Sequence, residues 1–589
     1  MANYEQIDKI AKRLSLADAQ NIQGQANARY ILYGVREEPK NFPRFNVNLT
    51  EKTHQQAYLC LEVACRYYHA GIFDKACDFF ERGAELLEHN NVTGVQEDNF
   101  TSFNRMVGSL AYYCACQYSK AFILLKGRAY ESGISRMLWY FLTKRFVDLE
   151  EKAKQILLSS EKEDIGSVYE ILLARAMELT VNYFYYGQDK YMESAIDTIK
   201  DATELAMLSD EPAIWWLLRL VRIIEEGILK SSLWANVGHN PLFKVDDGGW
   251  IEAFKSIGID YMPIFDNSAK LKLRQYINSL SFRKHPVTEL FFSQRKALEK
   301  VLGIEGAVVS MPTSSGKTRI AELVILQTLM FDTSSKVLYI APYRSLSYEM
   351  EETLSVTYNP MDYYVTHLYG SAQYTALDRQ EMEQARVVIA TPEKAKAILR
   401  ANDAMVEEIR LVVMDEGHLL GAGRREVANE MFSEELRRIV KANHGRFLVL
   451  SAVMPNAEDM SAWLAGSKEH VVEDTWRPSS QRFGKIRCYG AKLDIEWEGE
   501  PRCFNPSFVK TANFVDKKEL IAMAAKKLSS LGSILLYCPT PPQVMSNAKV
   551  MLAKLEDEDD VDWGNDPDWI RFQLVCKECD DDAIYLQMA

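Results

Sequence analysis

Met311-Pro-Thr313-Ser314-Ser315-Gly316-Lys317-Thr318 stands between a short apolar run, Gly306 to Ser310, and an amphipathic one, Arg319 to Met330. That order predicts a strand, a loop and a helix. In such a turn the backbone N–H groups and the positive end of the helix converge on an anion. Thr313, Ser314, Ser315, Gly316, Lys317 and Thr318 are therefore candidate nucleotide-binding residues: Lys317 would reach the terminal phosphates, and the Thr318 hydroxyl would ligate magnesium. Met311 stands where the general phosphate-loop pattern has glycine, so the loop alone does not decide the matter. The surrounding sequence has to.

The 589 residues are too many for one core and imply several domains. A hydrophobic fraction of 47% with 26% charged residues is ordinary for a globular protein. The richest apolar run, Ile214 to Ile224, is cut by Arg219 and Arg222, which argues against a membrane span. Met1-Ala-Asn-Tyr-Glu-Gln carries no secretory signal, and a cytoplasmic location is expected. The ten cysteines include a single Cys-x-x-Cys, Cys576 to Cys579, with no second pair to complete a zinc site, and read as reduced thiols. A net charge of −13 excludes a generally basic nucleic-acid coat, so any such contact is confined to a local groove.

Apolar positions recur at helical spacing from about residue 50 to 235, and residues 1–235 are taken as an all-α N-terminal domain. Ala57, Leu61, Ala64, Tyr68, Gly71, Ala76, Phe80 and Ala84 resemble a tetratricopeptide-type helical hairpin, with weaker echoes at Tyr112 to Ala121 and Tyr185 to Ala195. An ordinary helical domain without repeats stays open beside this reading. Residues 236–286, with Val245-Asp-Asp-Gly-Gly-Trp250, read as a connector. From there to residue 476 short runs such as Val337 to Ile340, Arg386 to Ile389, Leu411 to Met414 and Phe447 to Leu450 alternate with helical ones. Near-continuous apolar runs of that kind are strands buried on both faces, which predicts a parallel α/β sheet.

Asp415-Glu416-Gly417-His418 follows directly on one such strand, where an open α/β sheet places its ligands. Asp415 can hold magnesium, and Glu416 can orient and deprotonate a water. Lys317, Asp415 and Glu416 are the candidate catalytic residues, with Thr318 and Asp415 on the metal. Ser451-Ala452-Val453-Met454-Pro455-Asn456 follows a further strand.

With Ala341-Pro342-Tyr343-Arg344-Ser-Leu346 and Ala390-Thr391-Pro392-Glu-Lys394, these segments resemble, in order and spacing, motifs I, Ia, Ib, II and III of the superfamily 2, DExH-type, Ski2-like helicases. The resemblance covers residues 289–480 and does not require a first glycine in motif I. It implies a RecA-like lobe over 287–476 that uses ATP and Mg2+. Gln294 would read the adenine. His418, Ser451 and Ala452 would couple hydrolysis to movement. Pro342, Tyr343, Arg344, Thr391, Pro392 and Lys394 would hold the backbone of nucleic acid, as a single strand or a duplex with an overhang, without reading its sequence. Val453 stands where many members carry threonine, and Gly421-Ala-Gly423 resembles the loop that follows motif II.

Residues 477–589 would begin a second RecA-like lobe, with Ser533 to Thr540 as its motif IV strand and Glu556 to Asp560 as a solvated loop. The segment Ala583 to Ala589 then ends before any motif V or VI, which points to a truncated copy and to poor hydrolysis by this chain alone. A Ski2-like lobe behind a helical N-terminus is also similar to the large subunit of Hachiman-type anti-phage systems. That likeness implies a protein partner on the helical domain, a nuclease subunit. Three readings remain side by side: an ATP-dependent helicase or translocase, with DNA favoured over RNA, acting in such defence; a cellular RNA- or DNA-processing helicase; and an ATP-binding switch or scaffold that unwinds nothing.

Overall fold

A computed structural model describes residues 2–571 apart from 39, 41, 92–98, 129, 160–164, 244–266, 304–305, 332–333, 369–374, 402–403, 420–423, 480, 482, 490–491, 498–506, 511–515, 556–566 and 568. The stretches 245–250, 421–423, 556–560 and 583–589 singled out above, with Cys576 and Cys579, lie outside the described residues. The chain forms two compact units, Met1–Ala115 with Gln481–Ala589, and Cys116–Ser480. The helices read as one N-terminal region are thus divided at Ala115.

In the first unit the helices Leu49–His69 and Phe73–Asn90 form a hairpin turned at Gly71, whose φ of +76° suits glycine. Ala57, Leu61, Ala64, Ala76, Phe80 and Ala84 are all buried. A Cβ on Gly83 would stand 2.7 Å from Leu61 Cδ2, so the small residues permit close crossing. The same unit holds three strands, β8 (Gly484–Tyr489), β9 (Lys492–Trp497) and β10 (Ser507–Lys510), in an antiparallel sheet of order β10-β9-β8. The helix Lys517–Leu528 packs Ala524 against Ile31 and Val35. Ser533 to Cys538, expected as a strand, form none: Leu535 is 94% and Tyr537 87% exposed. A strand needs neighbours for its backbone and apolar side chains, and none of the described residues pairs with this run.

The second unit carries the helices Tyr118–Leu125, Gly133–Leu142, Phe146–Leu158, Ile165–Tyr186, Asp189–Leu208 and Pro212–Ser231. Gly187, at φ +69°, turns one hairpin beneath Trp234, whose indole N–H donates to the Phe184 carbonyl at 2.8 Å. Then comes a seven-stranded sheet: β1 (Ala307–Ser310), β2 (Lys336–Ile340), β3 (Val365–His367), β4 (Val387–Ala390), β5 (Ile409–Met414), β6 (Arg446–Ser451) and β7 (Val471–Glu473). Every pairing is parallel, in the order β3-β4-β2-β5-β6-β1-β7. β1, β2 and β4 are buried along their whole length, which is why those runs show no polar alternation. This is the expected parallel α/β lobe preceded by helices.

Two buried charges hold the lobe together. Lys336 Nζ donates to the carbonyls of Met382 and Ala385, each at 2.8 Å, closing the C-terminal end of the helix Ala376–Gln384, where a cation also meets the helix dipole. Arg319 pairs with Glu322 on the helix Lys317–Phe331, with 13% and 1% of their side chains exposed. Arg319→Met leaves that carboxylate uncompensated and should cost about 3–5 kcal/mol of unfolding free energy. The double variant Arg319→Met/Glu322→Leu should recover most of it. Urea denaturation of the three proteins checks this, and a single variant as stable as the parent contradicts it.

Candidate functional site

β1 ends at Ser310 between β6 and β7, so the loop that follows is delivered to the carboxyl edge of the sheet. The turn closes through Ser315, whose Oγ donates to the Pro312 carbonyl at 2.7 Å. Ser314 and Gly316 adopt φ of +70° and +81°. Thr313 and Ser314 are exposed, Ser315 is buried, and Gly316, Lys317 and Thr318 are half-buried at the start of the helix. Lys317 arches back so that Nζ donates to the carbonyls of Met311 and Pro312, each at 3.1 Å. Burial lowers its pKa below the ordinary lysine value, while Glu416 and Asp415 pull it up and Arg477 pushes it down. Arg477 therefore lies within electrostatic reach of the loop. In the sequence it falls at the expected start of the second lobe.

Gln294 is 4% exposed and tied at both ends of its amide. Oε1 accepts from the Phe291 N–H at 2.9 Å, closing the N-terminus of the helix Phe292–Val301, and Nε2 donates to the Gly316 carbonyl at 2.9 Å. One N–H and one lone pair of the amide are not used by these two bonds. Around it Phe291 lies against Tyr118, with centroids 5.8 Å apart and planes at 15°, and against Trp476 at 5.3 Å and 50°. Neither Tyr118 nor Trp476 was singled out in the sequence.

The acidic pair sits at the end of β5. The Asp415 N–H donates to the Ile340 carbonyl at 2.9 Å, continuing the β2 pairing by one residue. Its carboxylate accepts twice, at Oδ1 from the Glu416 N–H at 2.9 Å and at Oδ2 from the buried Tyr339 hydroxyl at 2.8 Å. Burial still holds the Asp415 pKa above its ordinary value, against those two donors. Glu416 has φ of +52°, a left-handed conformation that costs a non-glycine residue about 1–3 kcal/mol and turns it off the strand axis. Its buried Oε2 has no hydrogen-bond partner and stands 3.2 Å from His418 Nδ1.

The same His418 nitrogen lies 3.5 Å from Ser451 Oγ at the end of β6. Ser451 in turn accepts, through its carbonyl, the Met311 N–H at 3.1 Å. Glu416, His418, Ser451 and the loop thus form one contiguous path, and Ala452, half-buried, follows it. Pro342 and Pro392 share a cavity with Asp415, Glu416, Asn429 and Phe432, so the loops after β2 and β4 open beside the acidic pair. Asn429 carries no motif and could be found only in three dimensions. Lys396 holds it, Nζ to Oδ1, at 3.2 Å.

Of the residues expected on nucleic acid, Tyr343 and Arg344 are exposed at the start of the helix Arg344–Tyr358. Thr391 caps the helix Pro392–Arg400. Lys394 does not join them. Its side chain is 3% exposed and Nζ lies 2.8 Å from Asp378 Oδ2, in a buried pair that fastens this helix to the neighbouring Ala376–Gln384. A cation so placed has no path to a strand, and the partner that claims it sits on another helix, invisible to motif reading. Burial raises the Asp378 carboxyl pKa, but hydrogen bonds from Lys394 and Thr375 lower it further, to a net value below the usual 3.8. Its contribution to stability is fully present above that ordinary value and is lost as pH falls through the folded pKa. Lys394→Met should cost about 3–5 kcal/mol of stability at neutral pH, less in acid, and leave the salt dependence of nucleic-acid binding unchanged. Denaturation at two pH values with a salt titration checks this; a reduced salt slope returns Lys394 to the groove.

Residues 292–460 match the family model described as DEAD/DEAH box helicase. The chain is 37% identical to Hachiman protein HamB of Bacillus cereus, over 98% of this chain and 51% of that protein. It is 24% identical to the ATP-dependent DNA helicase Hel308 of Methanococcus vannielii, over 45% of this chain and 34% of the relative. The chain therefore spans about half or less of the length of these relatives. Among solved structures the DUF1998 helicase MrfA bound to DNA aligns at a TM-score of 0.37 and 18% identity, covering 48% of this chain and 39% of that one. This chain carries a DEAD/DEAH box helicase domain over residues 292–460 and is similar along nearly its whole length to Hachiman HamB.

Proposed function

We propose that the chain is the nucleotide-binding half of an ATP-dependent motor that moves on DNA, and that within its full-length protein it serves anti-phage defence by controlling a nuclease partner bound to the helical region. The observation that carries the catalytic part is the convergence of Lys317, Asp415 and Glu416 at the carboxyl edge of one sheet, with the Glu416–His418–Ser451 path behind it. The likeness to HamB supports the defence role, and the named DNA helicases among the relatives support DNA over RNA. No helix among the described residues is long and apolar enough to cross a membrane.

The loop amides and Lys317 bind and neutralise the triphosphate. Thr318 and Asp415 would hold Mg2+. A single hydroxyl and a single carboxylate fit an ion that takes its other ligands from phosphate and water, and the described residues contain no denser cluster of acidic, His or Cys side chains. Bound there, Mg2+ would offset charge on the phosphate oxygens. Glu416 orients the attacking water and takes its proton at Oε2, the oxygen left without a hydrogen bond. His418 passes the state of Glu416 to Ser451 and so to the end of β6. The exposed Tyr343 and Arg344 hold a phosphate backbone beside the same acidic pair.

In the full-length protein Lys317→Ala should abolish ATP binding. Glu416→Gln should preserve binding and slow turnover by about 10^2- to 10^4-fold, the share a general base supplies. An unchanged rate in Glu416→Gln removes the assigned base. Arg344→Ala should weaken binding to every sequence alike and reduce the salt slope by about one. Hydrolysis measured with single-stranded DNA, overhang duplex and RNA decides the substrate: stimulation by RNA alone overturns the DNA reading.

A further inference from the structure

The residues that enter the nucleotide site from upstream are held by the helical layer rather than by the sheet. Thr288 to Leu290 run antiparallel to Ser231 and its neighbours: the Leu233 N–H donates to the Thr288 carbonyl at 2.9 Å, and the Leu290 N–H to the Ser231 carbonyl at 2.7 Å. Glu289 points inward with 5% of its side chain exposed. One of its oxygens accepts from Ser231 Oγ at 2.7 Å and the other from Lys144 Nζ at 2.9 Å. Lys144 also donates to Thr288 Oγ1 at 2.9 Å. It occupies the turn between Gly133–Leu142 and Phe146–Leu158, at φ +59°.

From this latch the chain continues directly into the base end of the site. Phe291 follows, lying on Tyr118 of the same helical layer, and its N–H holds the Gln294 amide that reaches the Gly316 carbonyl. Lys144 is thereby joined to the phosphate loop, within one compact unit, by its bonds to Thr288 and Glu289, the backbone from Glu289 to Phe291, and the hydrogen bonds from Phe291 through Gln294 to Gly316. A charge-assisted hydrogen bond is about twice as strong as a neutral one, and removing one partner of a buried pair is costly, so the Lys144–Glu289 contact adds to the two main-chain bonds in holding this segment.

We infer that Lys144 is a positioning residue for nucleobase selection: by clamping Glu289 and Thr288 it fixes where Phe291 and Gln294 stand, and so gives the helical layer control over which base the site accepts. The inference rests on the nucleotide-site reading above. It places a specificity determinant outside the helicase motifs, on the layer that a protein partner would touch.

Equilibrium binding of ATP, GTP and inorganic tripolyphosphate to the chain, wild type against Lys144→Met, tests it. The wild type should prefer ATP to GTP. In Lys144→Met that preference should fall about fivefold or more, while tripolyphosphate binds as before, because the loop is untouched. The charge-swapped pair Lys144→Glu/Glu289→Lys should restore part of the preference. A merely structural lysine would lower thermal stability and leave the ratio alone, and an unchanged ratio overturns the inference. Where Lys144→Met does not fold, Thr288→Val and Ser231→Ala each remove one bond of the latch: a lowered ratio in both supports it, and an unchanged ratio overturns it. A wild type without base preference also overturns it. A wild type that binds neither ATP nor tripolyphosphate instead overturns the nucleotide-site reading itself.

Discussion

Gly316 sits tight against the Gln294 amide. A Cβ there would stand 2.1 Å from Gln294 Nε2, and its φ of +81° belongs to the region where only glycine is unstrained. That single close approach brings the helix Phe292–Val301 down onto the loop and sets the Gln294 amide against the Gly316 carbonyl. The absent glycine at Met311 is explained by the same geometry. Met311 is wholly buried at the end of β1, where its N–H donates to the Ser451 carbonyl, so the conformational freedom of glycine has no use there.

On the acidic side the constraint is desolvation. Burying Asp415 favours its neutral form, and the Tyr339 hydroxyl and Glu416 N–H work against that by donating to the charged one. The donors also fix the carboxylate in one orientation. Glu416 is treated the opposite way: its Oε2 accepts no hydrogen bond and faces His418, and its backbone is strained, which turns it away from the strand its neighbour extends. Two adjacent carboxylates thereby sit in different environments, which suits the ligating and basic tasks proposed for them. His418 and Ser451 lie close enough to register the difference.

Much of the lobe was legible in the sequence because its strands are buried on both faces. Uninterrupted apolar runs gave β2, β4, β5 and β6, and the polar residues directly after them gave the site. β3 and β7 were missed: three residues each, with His367 and Glu473 at their ends, they carry too little apolar signal. The Tyr339 hydroxyl, the Lys394–Asp378 pair and Asn429 were missed for another reason. Their roles depend on partners that register and packing bring together, 76, 16 and 33 residues apart. The helical residues were recognised as helices, yet helical periodicity says nothing about which neighbour a helix joins, and the division at Ala115 and the latch at Lys144 were invisible. The apolar run at Ser533 to Cys538 shows the converse, a strand-like sequence that lies exposed for want of a neighbour.

The central claim is that the loop and the acidic pair form one magnesium-dependent nucleotide site within this chain. Calorimetric titration of the chain with ATP, in the presence and absence of Mg2+, tests it most directly. The account predicts a single site whose affinity requires Mg2+ and disappears in Lys317→Ala, with Asp415→Asn losing the magnesium dependence but not all binding. Binding that is indifferent both to Mg2+ and to Lys317 would contradict it.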